Sequence, residues 1–513
     1  MRNLKEDMNI KNKLVKNTTF NSLNVFISMA IGFFLLPIIL QIIGKELYGI
    51  YILIITLSGY INIMETGVGT ASVKFISQHL IKNEKKEINE ILTNSLIFYF
   101  LVGVITATVL VLISLFFVNF FNIPPRYLSL TKQTLIFAGI ALLIIWPLRL
   151  FRKVLEGNQD YTVTSGATIA FEILNFLLII LFLRKCSNPF LFFVILKFIS
   201  QIFLNLFFCV YSFRRLDFLK VDYYLISKKA FKKIFKFSSI LYLCKIIGLL
   251  IFNTDKILIS VFLNISSITL YEITYKFLQL VKNVSNLSSS AILPLVSSLN
   301  SKNDNNKIKE IFLRVSKYTI VLVLPITISI IIFAKYIVLY WLGPEYNSIV
   351  FPIQLFVSYS IYNCSLALVG QILVAIDKVR YTLYYRIGIA VSNLILSIIL
   401  IILTKNFIGV IWGTVISYCI GYPIYLSIAL KLIKVDFYEF LNKVILPTYP
   451  YAIFPVIIGI LICQLVPPKN LIYTLIDMGG VVFLYFNCVF FMGLKSYERR
   501  DIKEIALKLI GVN

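Results

Sequence analysis

Histidine is almost missing from this chain: among 513 residues His79 stands alone, in a basic loop. A Ser-His-Asp arrangement or a histidine-bearing metal site is therefore not expected. The seven cysteines (186, 209, 244, 364, 419, 463 and 488) are scattered, with no C-x-x-C pair, and most fall inside apolar runs. Neither a disulfide framework nor a thiolate metal centre is expected from that spacing. No G-x-x-x-x-G-K-[ST] occurs, which argues against direct use of ATP through a P-loop. Charged residues make up only 14% of the chain, and no polar stretch is long enough to fold as a soluble domain. No cofactor is expected.

What fills the chain instead is apolar. Hydrophobic residues account for 59% and the mean hydropathy is +0.88, which places the sequence among polytopic membrane proteins. At about 20 apolar residues per crossing, the expectation is an all-α fold of about 14 transmembrane helices. The spans run over 18–43, 47–72, 90–118, 130–150, 162–183, 189–213, 237–262, 269–298, 315–339, 348–376, 383–404, 407–430, 445–465 and 471–494. The polar start, MRNLKEDMNIKNKLVKN, leads into a full-length span without an A-x-A-like cleavage site, so no removable signal peptide is expected. Pro37, inside the first span, is expected to kink it.

The net charge of +25 has a simple cause. Lysines and arginines on one set of alternate connections outnumber those on the other by more than four to one. By the positive-inside rule this puts both termini in the cytoplasm, in a multi-pass protein of the cytoplasmic (inner) membrane. Nucleic acid is not an expected partner. The most basic connection, RRLDFLKVDYYLISKKAFKKIFK at 214–236, reads as a segment lying on anionic membrane lipids. It also divides the chain. Residues 1–213 and 237–430 form two six-helix lobes, and 431–513 adds two helices and a tail. At an offset of about 220 residues Tyr51 falls on Tyr271 and Tyr161 on Tyr381, as expected of parallel repeats with a substrate path between them.

Polar residues inside spans locate the candidate site. In 269–298, Glu272, Lys276, Gln279, Asn283, Asn286 and Ser290 recur at helical spacing, within an arc of about 80°. In 237–262, Ser238, Tyr242, Lys245, Asn253, Lys256 and Ser260 share a face, with Asp255 pointing elsewhere. Span one adds Asn17, Asn21, Asn24 and Ser28, and span two adds Tyr51, Ser58, Asn62, Glu65, Thr66 and Gly69. A lone charge at mid-bilayer costs at least about 2.5–3.5 kcal/mol, so such groups face a bundle interior or a watery cavity. Substrate contacts are therefore expected from Lys245, Lys256, Lys276, Gln279, Asn283, Asn286, Asn21, Asn24 and Asn62, and ion coupling from Glu65 and Glu272. The alternatives are buried salt bridges, such as Lys256 with Glu272, and polar helix packing. Arg149, Arg152 and Lys153 are explained by orientation alone, with a second reading as an entry site for an anionic headgroup.

Four stretches carry a family resemblance: LPIILQIIGKELYGIYILIITLSGYINIMETGVGTASVKFIS at 36–77, NTDKILISVFLNISSITLYEITYKFLQL at 253–280, WLGPEYNSIVFPIQLF at 341–356 and GQILVAIDKVRYTLYYRIGIAVSNLILSIILI at 370–401. The chain resembles the oligosaccharide flippases of the polysaccharide-transporter family, in the superfamily that also holds multidrug and toxin extrusion transporters and the peptidoglycan lipid flippase. The resemblance implies alternating access and a polyprenyl-diphosphate-linked oligosaccharide as substrate. Surface polysaccharide such as O-antigen, lipopolysaccharide or capsule is the implied product, with polysaccharide assembly proteins as partners. The arginines that peptidoglycan flippases carry in their first two helices are absent. The rival readings are a cation-coupled multidrug antiporter and, from another class, a membrane glycosyltransferase or polymerase, which the short outer loops disfavour.

Overall fold

A chain this apolar has to satisfy its backbone within each segment, because lipid offers no hydrogen bonds. The computed structural model describes the backbone of residues 2–227, 239–289, 292–361, 363–500 and 504. Among the described residues every regular element is helical. Among the described residues, the expected stretches fall largely on helical segments. Ten helical segments among the described residues are long and apolar enough to cross a membrane. The two counts differ at the first helix, taken there as one segment (Thr19–Tyr60), and at the stretches 237–262, 269–298 and 348–376, which are not among the ten.

Met1–Thr269 and Leu270–Asn513 form two compact units. The first is built on α1 (Arg2–Ile81), which holds the first two expected spans in one run. Pro37 lies inside this helix. The residue outside helical backbone is Gly44, with φ 80° and ψ 170°, a conformation that a side chain would resist; a proline costs a helix one hydrogen bond but leaves φ helical. Packed on α1 are α2 (Lys85–Leu112), α3 (Pro125–Gly157), α4 (Tyr161–Phe182) and, after α5 (Pro189–Arg215), the helix α6 (Ser239–Phe262). Trp146, Tyr99, Phe190, Phe193 and Phe208 are fully buried at its centre.

Several contacts tie α6 into this first unit. Tyr60 and Thr254 share a 3.0 Å hydrogen bond. The carbonyls at the end of α6 meet Asn122, whose backbone N–H donates to Ser260 (2.8 Å) and whose side-chain amide donates to Val261 (2.7 Å). Helix ends leave such carbonyls without intrahelical partners, so one asparagine closes the terminus. Next in the chain is α7 (Ile265–Ser289), whose first turn lies close against α1. A Cβ on Gly49 would sit 2.3 Å from the Ile265 carbonyl oxygen, and Thr269 Oγ1 donates to the Lys45 carbonyl at 2.7 Å. Of the basic linker, residues 228–236 lie outside the described residues.

The second unit is organised by α9 (Asn305–Trp341), preceded by α8 (Ile292–Asn300) and packed against α10 (Val350–Ser358), α14 (Ile453–Leu465) and α15 (Leu471–Cys488). Tyr336 and Tyr340 donate from α9 to the carbonyls of Cys463 and Pro468, at 2.9 and 2.7 Å. At the other end Lys317 meets Glu498 at 2.7 Å, both buried. After α11 (Leu366–Ala375), α12 (Val379–Thr404) and α13 (Ile408–Ile433) pair closely, because Gly413 lies under Ser397 and Asn393 donates to Thr414 at 2.9 Å. Outward sides carry exposed Phe116, Leu403, Phe454 and Ile476, as lipid-facing surfaces do.

Candidate functional site

In the second unit the polar stripe of α7 is turned the opposite way from a lipid-facing helix. Ile273, Phe277, Leu278 and Val281 are 3% exposed or less. Lys276 and Asn283 are half-buried, and Gln279 and Asn286 are exposed. Glu272 is buried at 8%. A helix presented to hydrocarbon would expose its apolar side. Here the accessible side carries ammonium and amide groups, which can hydrogen-bond to phosphate and to sugar hydroxyls.

Lys282 was not among the expected contacts, yet its ammonium stands 5.8 Å from the Tyr275 ring centroid and 6.0 Å from that of Tyr418. Both distances are within cation–π reach. Tyr418 stacks on Tyr359 at 5.0 Å, while Tyr275 borders Tyr271 and Phe356 at 6.3 and 6.1 Å. One turn on, Ser285 donates to the Cys364 carbonyl at 2.8 Å. A basic group is thus held against a tyrosine cluster drawn from α7, α10 and α13. Tyr275 and Lys282 are seven residues apart, on one helical face, which was the available signal; the Tyr418 contact, 136 positions away, leaves no local trace.

In the first unit, Lys256 and Asp255 are buried in α6 at 9% and 0% exposure. For Lys245 and Asn62 only the backbone lies within the described residues. Glu65 is paired with Arg149 at 3.2 Å, and the guanidinium lies 5.0 Å from the Trp146 ring. A turn further along α3, Arg152 and Lys153 both donate to Glu156 at 3.0 Å. Three cations therefore meet two carboxylates, so the cluster keeps one net positive charge. Orientation does not exhaust the role of Arg149.

The stripe of span one is divided. Asn17 donates to the Gln159 carbonyl (3.0 Å) and accepts from Thr162 (3.1 Å), and Ser28 donates to Glu172 at 2.6 Å. These two residues pack α1 on α4. Asn21 is exposed, and Asn24 is buried with no hydrogen-bond partner for its Oδ1 among the described residues. In span two, Ser58 returns its hydroxyl to the Ile54 carbonyl, and Tyr51 packs on Phe193.

Against known proteins, residues 14–300 match the family described as polysaccharide biosynthesis protein. A curated relative, the probable low-salt glycan biosynthesis flippase Agl15 of Haloferax volcanii, is 23% identical over 183 residues, which is 36% of this chain and 39% of that protein. The chain thus matches well under half the length of this relative. Among solved structures, the lipid II flippase MurJ in an inward closed conformation superposes with a TM-score of 0.70 at 18% identity, covering 92% of this chain and 99% of that one. An inward-facing multidrug resistance MATE family transporter of the MOP superfamily gives 0.68 at 14% identity, covering 82% and 94%. The two likenesses share one fold, and with more than half of its length matched to the family, this multi-pass membrane chain belongs to the polysaccharide biosynthesis proteins.

Proposed function

We propose that this protein is a flippase that carries polyprenyl-diphosphate-linked oligosaccharide units across the cytoplasmic membrane by alternating access of two six-helix lobes, residues 1–213 and 237–430. It is a transporter and performs no covalent chemistry. The observation that carries the reading is the accessible polar side of α7, where Lys276, Gln279, Asn283 and Asn286 replace the apolar surface of a lipid-facing helix. An ammonium in a low-dielectric setting attracts a diphosphate strongly, the amides exchange hydrogen bonds with sugar hydroxyls, and the lipid tail stays in the bilayer. Lys245, Lys256, Asn21, Asn24 and Asn62 complete the proposed substrate path, with Glu65 and Glu272 as the proposed coupling carboxylates. Family membership and the relative named for glycan flipping support the same reading.

The test is transport of a lipid-linked oligosaccharide in proteoliposomes. Lys276→Arg should keep partial transport, Lys276→Ala should weaken it, and Lys276→Glu should abolish it, each at normal membrane abundance. Full-rate transport by properly inserted Lys276→Glu would overturn the cationic path. The MATE likeness supports a second reading, a cation-coupled drug antiporter. In the same vesicles that reading requires gradient-driven drug uptake that Glu65→Gln or Glu272→Gln removes, with no movement of the lipid-linked sugar.

A further inference from the structure

The connection after α5 is laced to α2 side chain by side chain. Asn89 donates to the Phe218 carbonyl and accepts from the Lys220 amide, both at 3.0 Å. Thr93 accepts from the Asp222 amide at 3.3 Å. Asn94 donates to the Leu225 carbonyl at 2.9 Å and accepts from the Ser227 amide at 3.0 Å. An asparagine amide offers the same donor and acceptor as a peptide unit, so α2 serves as a rail for an irregular strap. The pairing advances in register with α2, from Asn89 to Asn94, a rise of about 7.5 Å. The apolar run of α2 begins at about the same place, after Asn89 and Glu90. The strap therefore descends from the mouth of the helix into the first turns of its apolar part.

At that depth the strap turns its large side chains outward. Tyr224 is 90% exposed and Tyr223 78%, and Val221 and Ile226 are each about half exposed. The one acid of residues 220–227, Asp222, is folded back to accept from the Tyr224 amide at 2.9 Å. In the sequence that follows, Lys228, Lys229, Lys232, Lys233 and Lys236 come before any further carboxylate, the next being Asp255. Two phenols with apolar neighbours at the edge of an apolar helix, in a lysine-rich and acid-poor stretch, have the chemistry of the headgroup boundary, where amphipathic rings settle and basic residues attract anionic lipid.

We propose that residues 220–227 form an interfacial anchor that seats Tyr223 and Tyr224 among the headgroups of anionic lipid, with Asn89, Thr93 and Asn94 setting its depth. The full chain carrying Tyr224→Trp is placed in nanodiscs of phosphatidylcholine with or without phosphatidylglycerol, and its emission is read as the difference from the parent. The added signal should be blue-shifted, quenched by lipid brominated near the headgroup and shielded from aqueous iodide. Native mass spectrometry should find phosphatidylglycerol retained in preference to phosphatidylcholine, and that preference should be lost in Tyr223→Ser/Tyr224→Ser and in Asn89→Ala/Asn94→Ala at unchanged helix content. Iodide quenching without bromolipid quenching would overturn the anchor. So would shielding from both, which would mean that protein covers the loop, or a lipid preference that survives the serine pair.

Discussion

Lys317 and Glu498 form a residue pair whose two halves should behave very differently from the whole. Both are buried, 2.7 Å apart, and Glu498 also accepts from the Lys495 amide at 2.9 Å. Removing one partner strands a buried charge, at a cost of about 3–5 kcal/mol, while replacing both by apolar groups of similar volume is often neutral. Lys317→Met or Glu498→Leu should therefore lower the detergent unfolding temperature sharply, and Lys317→Met/Glu498→Leu should recover most of the loss. Thermal unfolding of the four proteins as a cycle checks this. The same distinction explains what could be read from sequence at this scale. Helical spacing shows that a face is polar but not what it meets. Asn17 and Ser28 share a stripe with Asn21 and Asn24, yet the first two are occupied by Gln159, Thr162 and Glu172. Lys282 is not among the expected contacts because the ring that completes its setting, Tyr418, comes from a helix distant in sequence.

At the scale of elements the fold was largely legible, since a hydrocarbon environment makes hydropathy and segment length decisive. The breaks were less so. Gly44 interrupts α1 because only glycine takes its backbone angles readily, whereas Pro37 lies inside the helix with helical backbone angles. Some helix starts carry a side-chain cap. Asp304 accepts from the Lys307 amide at 3.1 Å at the head of α9, and that bond, followed by the ammonium groups of Lys307 and Lys302, holds its carboxyl below the usual carboxylate range. A depressed folded-state pKa means that the cap's contribution is present above the unfolded value and lost as pH falls through the folded one. Protection of the first-turn amides of α9, measured relative to their intrinsic exchange rate at each pH, should fall only under acid conditions in the parent, and at neutral pH already in Asp304→Ala. Equal protection of that turn in both proteins at neutral pH would remove Asp304 as the cap.

For the whole molecule, the charge bias yields an orientation that can be measured. Reporters fused after residues 225, 305 and 440 should read cytoplasmic, and those after 265, 343 and 468 external; reversal of the 225 and 265 pair would sink the assignment. The sequence division at the basic linker and the compact units differ in the placement of α6, which lies with the first unit through Tyr60, Asn122 and α1. Hydropathy and charge runs cannot reveal that, because they record where a helix begins and not which neighbours it packs on.

Chain order gives the Lys317–Glu498 pair a further meaning. The two residues are 181 positions apart, so the ribosome delivers the lysine long before the acid that neutralises it. Until Glu498 is made, Lys317 lacks the carboxylate that it meets in the folded chain. The ion pair is therefore a contact that α9 can complete only after a segment far along the chain has been made.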